Sequence, residues 1–182
     1  FILNLDMVAA FRNHEAPNLD ELYKMRKRLV GLGKYLKTLN NATNPKVLQN
    51  IINNISKNKT EEECKAVSKI MLSSMQRAFY ATYCVGHYGL ALNEYATFTS
   101  PIRRFPDLLN HIVIEAIITG NYELLESCQK DYEGMCMHSN DKKLYADKLE
   151  SCVDGLLMKE YLTEIDGENI LAKVVFMSNE GV

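Results

Sequence analysis

The chain has 182 residues, 47% hydrophobic and 24% charged, which is enough for one sizeable core. A net charge of −2 and a pI near 6.1 exclude a global electrostatic attraction to nucleic acid, so any anion binding has to be local. No apolar run is long enough to span a bilayer.

The cysteines, Cys64, Cys84, Cys128, Cys136 and Cys152, are odd in number and widely spaced, without a C-x-x-C pair. They read as reduced, buried thiols of a cytoplasmic protein. Cys136 and His138 form a C-x-H pair, but no second pair at zinc spacing accompanies it, so no metal site is expected in the chain.

The opening FILNLDMVAAF is apolar but lacks a basic flank and an initiator methionine, so it reads as the middle of a protein. Phe1–Phe11 fits a short helix or an extended segment equally, and the polar run Arg12–Pro17 breaks the pattern. Asn18 is an N-cap with Asp20 and Glu21 in the first turn. Leu22, Met25, Leu29, Leu32, Leu36 and Leu39 then recur at helical spacing, predicting a helix over Leu19–Leu39. Its other face carries Lys24, Lys27, Arg28 and Lys34, read as a solvated face. Asn44-Pro45 starts a second helix through Ile55. Thr60-x-x-Glu63 is a capping box opening a third, through Met71, Met75 and Ala78. The asparagines crowded between Asn40 and Asn58 are read as a compositional bias.

At Cys84–Leu92 the character changes. Gly86 and Gly89 flank His87 and Tyr88, predicting a loop into a short strand where backbone comes close to something. Pro106–Thr119 is apolar and helical, with Gly120 as its terminator. Tyr122–Met137 is predicted helical. Asp141–Leu162 is a long amphipathic helix with Tyr145, Leu149, Cys152, Val153, Leu156, Leu157 and Tyr161 inward. Ile170–Met177 alternates like a strand, and the chain reads as a piece of a longer polypeptide.

The unusual stretch is Tyr95–His111. Thr99 and Ser100 are good N-caps, and Pro101 suits a first helical position. Acidic residues would then be expected in the first turn, but Arg103 and Arg104 stand there. Free backbone N–H groups, two hydroxyls and two guanidiniums describe a phosphate site. Pro106, one turn on, would remove a hydrogen bond, so the helix kinks or restarts there.

GHYGLAL (Gly86–Leu92), Tyr95 and FTSPIRRFPDLLNH (Phe98–His111) together resemble the signature of the ribonuclease II / ribonuclease R family, the RNB-type exoribonucleases. RNHEAP (Arg12–Pro17) and SSMQRAFY (Ser73–Tyr80) resemble further segments of that family. The resemblance implies a fold that is mainly α with a few short strands. Residues 1–164 would be the downstream helical part of an α/β RNB catalytic domain, and residues 165–182 the first strand of an OB-type S1 barrel.

It implies hydrolysis of single-stranded RNA from the 3′ end to nucleoside 5′-monophosphates. Magnesium would be held by an aspartate cluster that this chain lacks, Asp6 and Asp20 being isolated, so those ligands would lie upstream and the chain alone would be inactive. Arg103 matches the family's catalytic arginine, with Arg104 in a supporting place. Thr99 and Ser100 hold phosphate or cap the helix. His87 and Tyr95 lie in matched segments near the RNA end, with packing an open alternative for Tyr95. Asp107 pairs with Arg103 or Arg104, or sits in the first turn of a restarted helix. The implied partner is single-stranded RNA with no membrane, in a parent that is monomeric or part of an RNA-degradation complex. A catalytically dead RNA-binding or scaffold paralogue is the alternative.

Overall fold

The computed structural model describes residues 8–31, 44–47, 50, 53 and 60–169. They are mostly helical, with one small sheet, and the chain divides into two compact units, residues 1–141 and 142–182.

In the first unit, β1 (Phe11–Asn13) and β2 (Phe79–Ala81) pair antiparallel, with Arg12 opposite Tyr80. These strands are too short to show alternation in sequence, which is why Arg12–Pro17 reads only as a polar break. The other edge of β1 meets the main chain of the glycine-rich segment. Arg12 N–H donates to Tyr95 O (2.9 Å), His14 N–H to Gly86 O (3.0 Å), and Tyr88 N–H to His14 O (2.7 Å). The predicted short strand after Gly86 is instead a single 3-10 turn at Tyr88–Leu90, flanked by isolated bridges at His87 and Leu92.

α1 (Leu19–Gly31) starts as the sequence predicts, with Asn18 Oδ1 accepting from Glu21 N–H at 2.8 Å. Its stripe buries Leu22, Met25 and Leu29. The stretch from 32 to 39 lies outside the described residues. Residues 45–47, 50 and 53 are helical, and the rest of that predicted helix also lies outside them. α2 (Glu61–Ser73) carries the expected capping box, Glu63 N–H to Thr60 Oγ1 and Thr60 N–H to a Glu63 carboxylate oxygen. It ends before Met75 and Ala78 because the Ser73 and Ser74 hydroxyls both take the Ile70 carbonyl (2.9 and 3.0 Å).

α3 (Phe105–Thr119) ends on Gly120 at φ +69°, as predicted. The predicted helix over Tyr122–Met137 is broken in two. α4 (Tyr122–Gln129) is capped by Asn121, and α5 (Tyr132–Glu164) follows it.

One core joins α1 to α2 through Leu22, Met25, Leu29, Val67 and Met71, with Tyr88 from the glycine-rich segment. A second joins Ala10 and Tyr80 at the sheet to Leu109, Val113 and Ala116 of α3, Leu125 of α4, and Tyr132 and Cys136 of α5. Each such buried large side chain stabilises the fold by about 1.5–3 kcal/mol. This packing fixes α3 against β1, and α3 carries the site.

In the second unit, Tyr145, Leu149, Cys152, Val153, Leu156, Leu157 and Tyr161 of α5 are exposed rather than inward. They do form one stripe, since their spacing is helical, but no described element covers it. The five cysteines are free thiols, and only Cys136 is buried. The strand expected at Ile170–Met177 lies outside the described residues.

Candidate functional site

Of the two outcomes expected at Pro106, a kink or a restart, the structure shows the restart. Residues 101–103 form a separate turn, in which Ser100 O accepts from Arg103 N–H (3.2 Å) and Arg104 N–H (3.0 Å). α3 starts at Phe105 with Arg104 as its N-cap residue. The cause is Pro106. Within a helix running from Pro101 it would leave Ile102 O without its donor, whereas in a first turn its missing N–H costs nothing. Thr99 and Ser100 therefore cap no helix. The acidic residue expected in the first turn is present after all, as Asp107.

Asp107 is completely buried. Its Oδ2 accepts from Ser100 N–H (2.8 Å), Arg104 Nε (3.1 Å) and Arg104 Nη2 (2.8 Å). Burial pushes its carboxyl upward, but the nearby Thr97 hydroxyl dipole and, through direct hydrogen bonds, the Ser100 N–H and the Arg104 guanidinium outweigh it and hold the group below its usual range. The Thr97 hydroxyl does not reach hydrogen-bonding geometry on Oδ1, which is buried without a partner.

Arg104 also donates to Thr99 Oγ1 at 3.3 Å. Of the two arginines, Arg104 is thus neutralised and fixed. Arg103 is exposed, and its guanidinium has no hydrogen bond or ion pair among the described residues. The loop accordingly presents one positive charge that is uncompensated among the described residues.

The loop's mount is built from α3. Asn110 is buried, accepts Ala10 N–H (2.9 Å), and donates to Ala10 O (3.0 Å) and Thr97 O (2.9 Å). Those bonds tie the loop to the chain just before β1. His111 Nε2 lies 2.7 Å from Phe98 O, and its ring stacks on the Phe98 ring, centroids 3.8 Å apart and planes 10° apart. Since a carbonyl only accepts, Nε2 carries the proton. The Tyr80 and Thr97 hydroxyls pair at 3.2 Å. Sequence offered Asp107 as a partner of Arg103 or Arg104 or as a first-turn residue, and it is both Arg104's partner and in the first turn of α3; Asn110, His111 and Phe98 were not singled out as mounting residues. The available signal was two polar residues, Asp107 and Asn110, one turn apart inside an apolar helix.

His87 and Tyr95 fall in a second cluster. His87 packs edge-on against Tyr95 (5.1 Å between centroids) and against His14 (4.9 Å). No described hydrogen bond or ring contact joins either residue to Thr99, Ser100, Arg103 or Arg104. His14 Nδ1 accepts from Gly89 N–H at 3.0 Å. Its proton therefore sits on Nε2, which is buried without a hydrogen-bond partner, as is His87 Nδ1. Burial lowers both imidazole pKa values, and the Arg12 charge lowers them further.

Among the described residues, no three His, Cys, Asp or Glu side chains converge to hold a metal ion. Asp107 is committed to Arg104 and His111 to Phe98, so their i, i+4 spacing makes no ligand pair. No helix of the described residues is long and apolar enough to cross a membrane. The arrangement can offer one free guanidinium, hydroxyls and exposed rings to an anionic, aromatic ligand.

The profile of the RNB domain family matches residues 1–120. The chain is 32% identical over 160 residues to ribonuclease R 1 of Lactococcus lactis, covering 87% of this chain and 19% of that protein. It thus spans about a fifth of the length of the curated relatives it matches. Its fold is similar to that of Mycoplasma genitalium RNase R solved in complex with ribose methylated single-stranded RNA, with a TM-score of 0.78, 20% identity, and 92% of this chain and 26% of that chain covered. It is also similar to yeast Ssd1, described as a pseudonuclease, with a TM-score of 0.58, 20% identity, and 76% of this chain and 17% of that chain covered.

Proposed function

The chain belongs to the RNB domain family, and from that premise we propose that it is part of a hydrolytic 3′-to-5′ exoribonuclease that degrades single-stranded RNA to nucleoside 5′-monophosphates. Arg103 is the residue that meets the phosphate. The observation that carries this is its free, exposed guanidinium beside an Arg104 already neutralised by Asp107. During hydrolysis, negative charge builds on the phosphoryl oxygens, and a positioned cationic donor stabilises that charge more than the ground state. Arg104 positions the loop. The Thr99 and Ser100 hydroxyls stand on the same mount as secondary phosphate donors, and His87 and Tyr95 line the approach of the RNA.

Magnesium belongs to the proposed parent enzyme. The described residues offer it no site, so the chemistry assigned to this chain is confined to its own donors. We place residues 165–182 at the start of an S1 domain and the parent in the cytoplasm, as a monomer or within an RNA-degradation complex.

The second reading is a catalytically dead, RNA-binding paralogue. A fold similar to both a ribonuclease R and a pseudonuclease is compatible with either. The discriminating experiment incubates the intact parent with 5′-labelled single-stranded RNA and magnesium. A ladder shortening from the 3′ end supports the enzyme. Bound but undegraded RNA supports the paralogue and overturns the exoribonuclease.

A further inference from the structure

Four successive residues of the arginine loop are each held by a different side chain. Thr97 O accepts from Asn110, Phe98 O from His111, Thr99 Oγ1 from Arg104, and Ser100 N–H donates to Asp107. Backbone fixed this densely restrains any side chain it bears. The Phe98 side chain is nevertheless 41% exposed. One face of its ring is covered by His111 at 3.8 Å in a near-parallel stack, and no second ring among the described residues covers the other. Ile102 and Phe105, flanking the arginines, are exposed as well.

An exposed aromatic normally loses rotamer freedom on binding, which weakens the complex. Here the loss is already met by the mount, so a flat ligand gains the stacking without that cost. Arg103 lies on the same loop and supplies its one charge that is uncompensated among the described residues. A flat aromatic group tethered to a phosphate is the ligand this combination fits.

We propose that Phe98, backed by His111, is a stacking platform for a nucleobase of the RNA whose phosphate Arg103 contacts. The inference rests on the exoribonuclease reading and adds a base subsite to it. Stacking uses the π-face common to all bases, so the platform does not choose among sequences. His111 is a positioning residue: it touches no RNA and holds the Phe98 ring and carbonyl in place.

The test uses the intact parent with short single-stranded RNAs carrying 5-iodouridine at each of the last several 3′ positions in turn. Divalent cations are chelated so that the RNA stays whole. Binding is followed by fluorescence anisotropy and photocrosslinks are mapped by peptide mass spectrometry. The expected result is a crosslink to Phe98 from one RNA position, lost in Phe98→Leu and kept in Phe98→Tyr. Affinity should fall about tenfold in Phe98→Leu, in line with the loss of one base stack.

RNA that binds while the Phe98 peptide stays unmodified at every position overturns the platform and leaves the exoribonuclease reading standing. So does a Phe98→Leu protein with unchanged affinity and crosslinks, which would make the ring a packing residue. RNA that fails to bind at all overturns both. If Phe98→Leu does not fold, the wild-type crosslink map alone decides.

Discussion

Asp107 grips Arg104 through both Nε and Nη2, with Oδ2 at 3.1 and 2.8 Å, and leaves Arg103 untouched. The pairing divides two adjacent arginines into a structural one and a free one. Removing the carboxylate should therefore loosen the loop as well as discharge it. Asp107→Ala strips a fully buried group from Arg104 and from Ser100 N–H. Arg104 keeps some access to water, so the loss belongs at the low end for a broken buried pair, about 3 kcal/mol in chemical denaturation. The folded carboxyl titrates below its usual value. Its contribution is complete above the unfolded value of about 3.9 and is lost as pH falls through the folded one. Acid unfolding of Asp107→Asn should lack that component. An unchanged acid midpoint would contradict the assignment.

The glycines of GHYGLAL predict opposite outcomes from a glycine elsewhere. Gly86 has φ +87°, and a Cβ there would meet Leu92 O at 2.9 Å; at Gly89 it would meet His14 Nδ1 at 2.8 Å. Neither neighbour can retreat, since one is backbone and the other is a buried ring bonded to Gly89 itself. Alanine at either position should cost about 1–3 kcal/mol. Gly155, inside α5, has nothing within 4 Å of a built Cβ. Gly155→Ala should stabilise by up to about 1 kcal/mol. Denaturant midpoints of the three variants check the signs.

The His14–His87 pair makes the glycine-rich segment pH-sensitive. Burial lowers both folded pKa values, so the unfolded chain binds more protons than the folded one below about pH 6.5. Stability is full above that value and declines as pH falls below it. Protonating His14 Nδ1 also removes the acceptor of Gly89 N–H. Melting temperature should therefore drop between about pH 6.5 and 5. His14→Asn, whose amide oxygen can replace Nδ1 as acceptor, should flatten the drop. A melting temperature that rises on acidification would rule the mechanism out.

The sequence made the helices legible because their cues are local: Asn18 and Thr60 as caps, Gly120 as terminator, and the Leu22–Met25–Leu29 stripe. It also flagged Gly86 and Gly89 as close approaches, and both are. The sheet was hidden because strands of this length carry no pattern. At α3 the sequence left a kink or a restart at Pro106 open, because Thr99-Ser100-Pro101 is itself a good start signal, and the structure takes the restart. The mount was hidden because it is tertiary. Asn110 acts as a ladder partner for Ala10, as Asn13 does for Tyr83 and Val85, and Asn140 for both backbone groups of Tyr80. No local cue marks these three asparagines, because each ties segments far apart in sequence.

The division of labour between the arginines is tested most directly by measuring turnover of single-stranded RNA and melting temperature together, for Arg103→Ala and Arg104→Ala in the intact parent. The account predicts that Arg103→Ala cuts kcat by at least about a hundredfold while melting is unchanged and RNA is still bound. Arg104→Ala should lower the melting temperature and carry the smaller kinetic defect. Full turnover in Arg103→Ala, or a melting loss confined to it, would contradict the claim that Arg103 is the free phosphate donor.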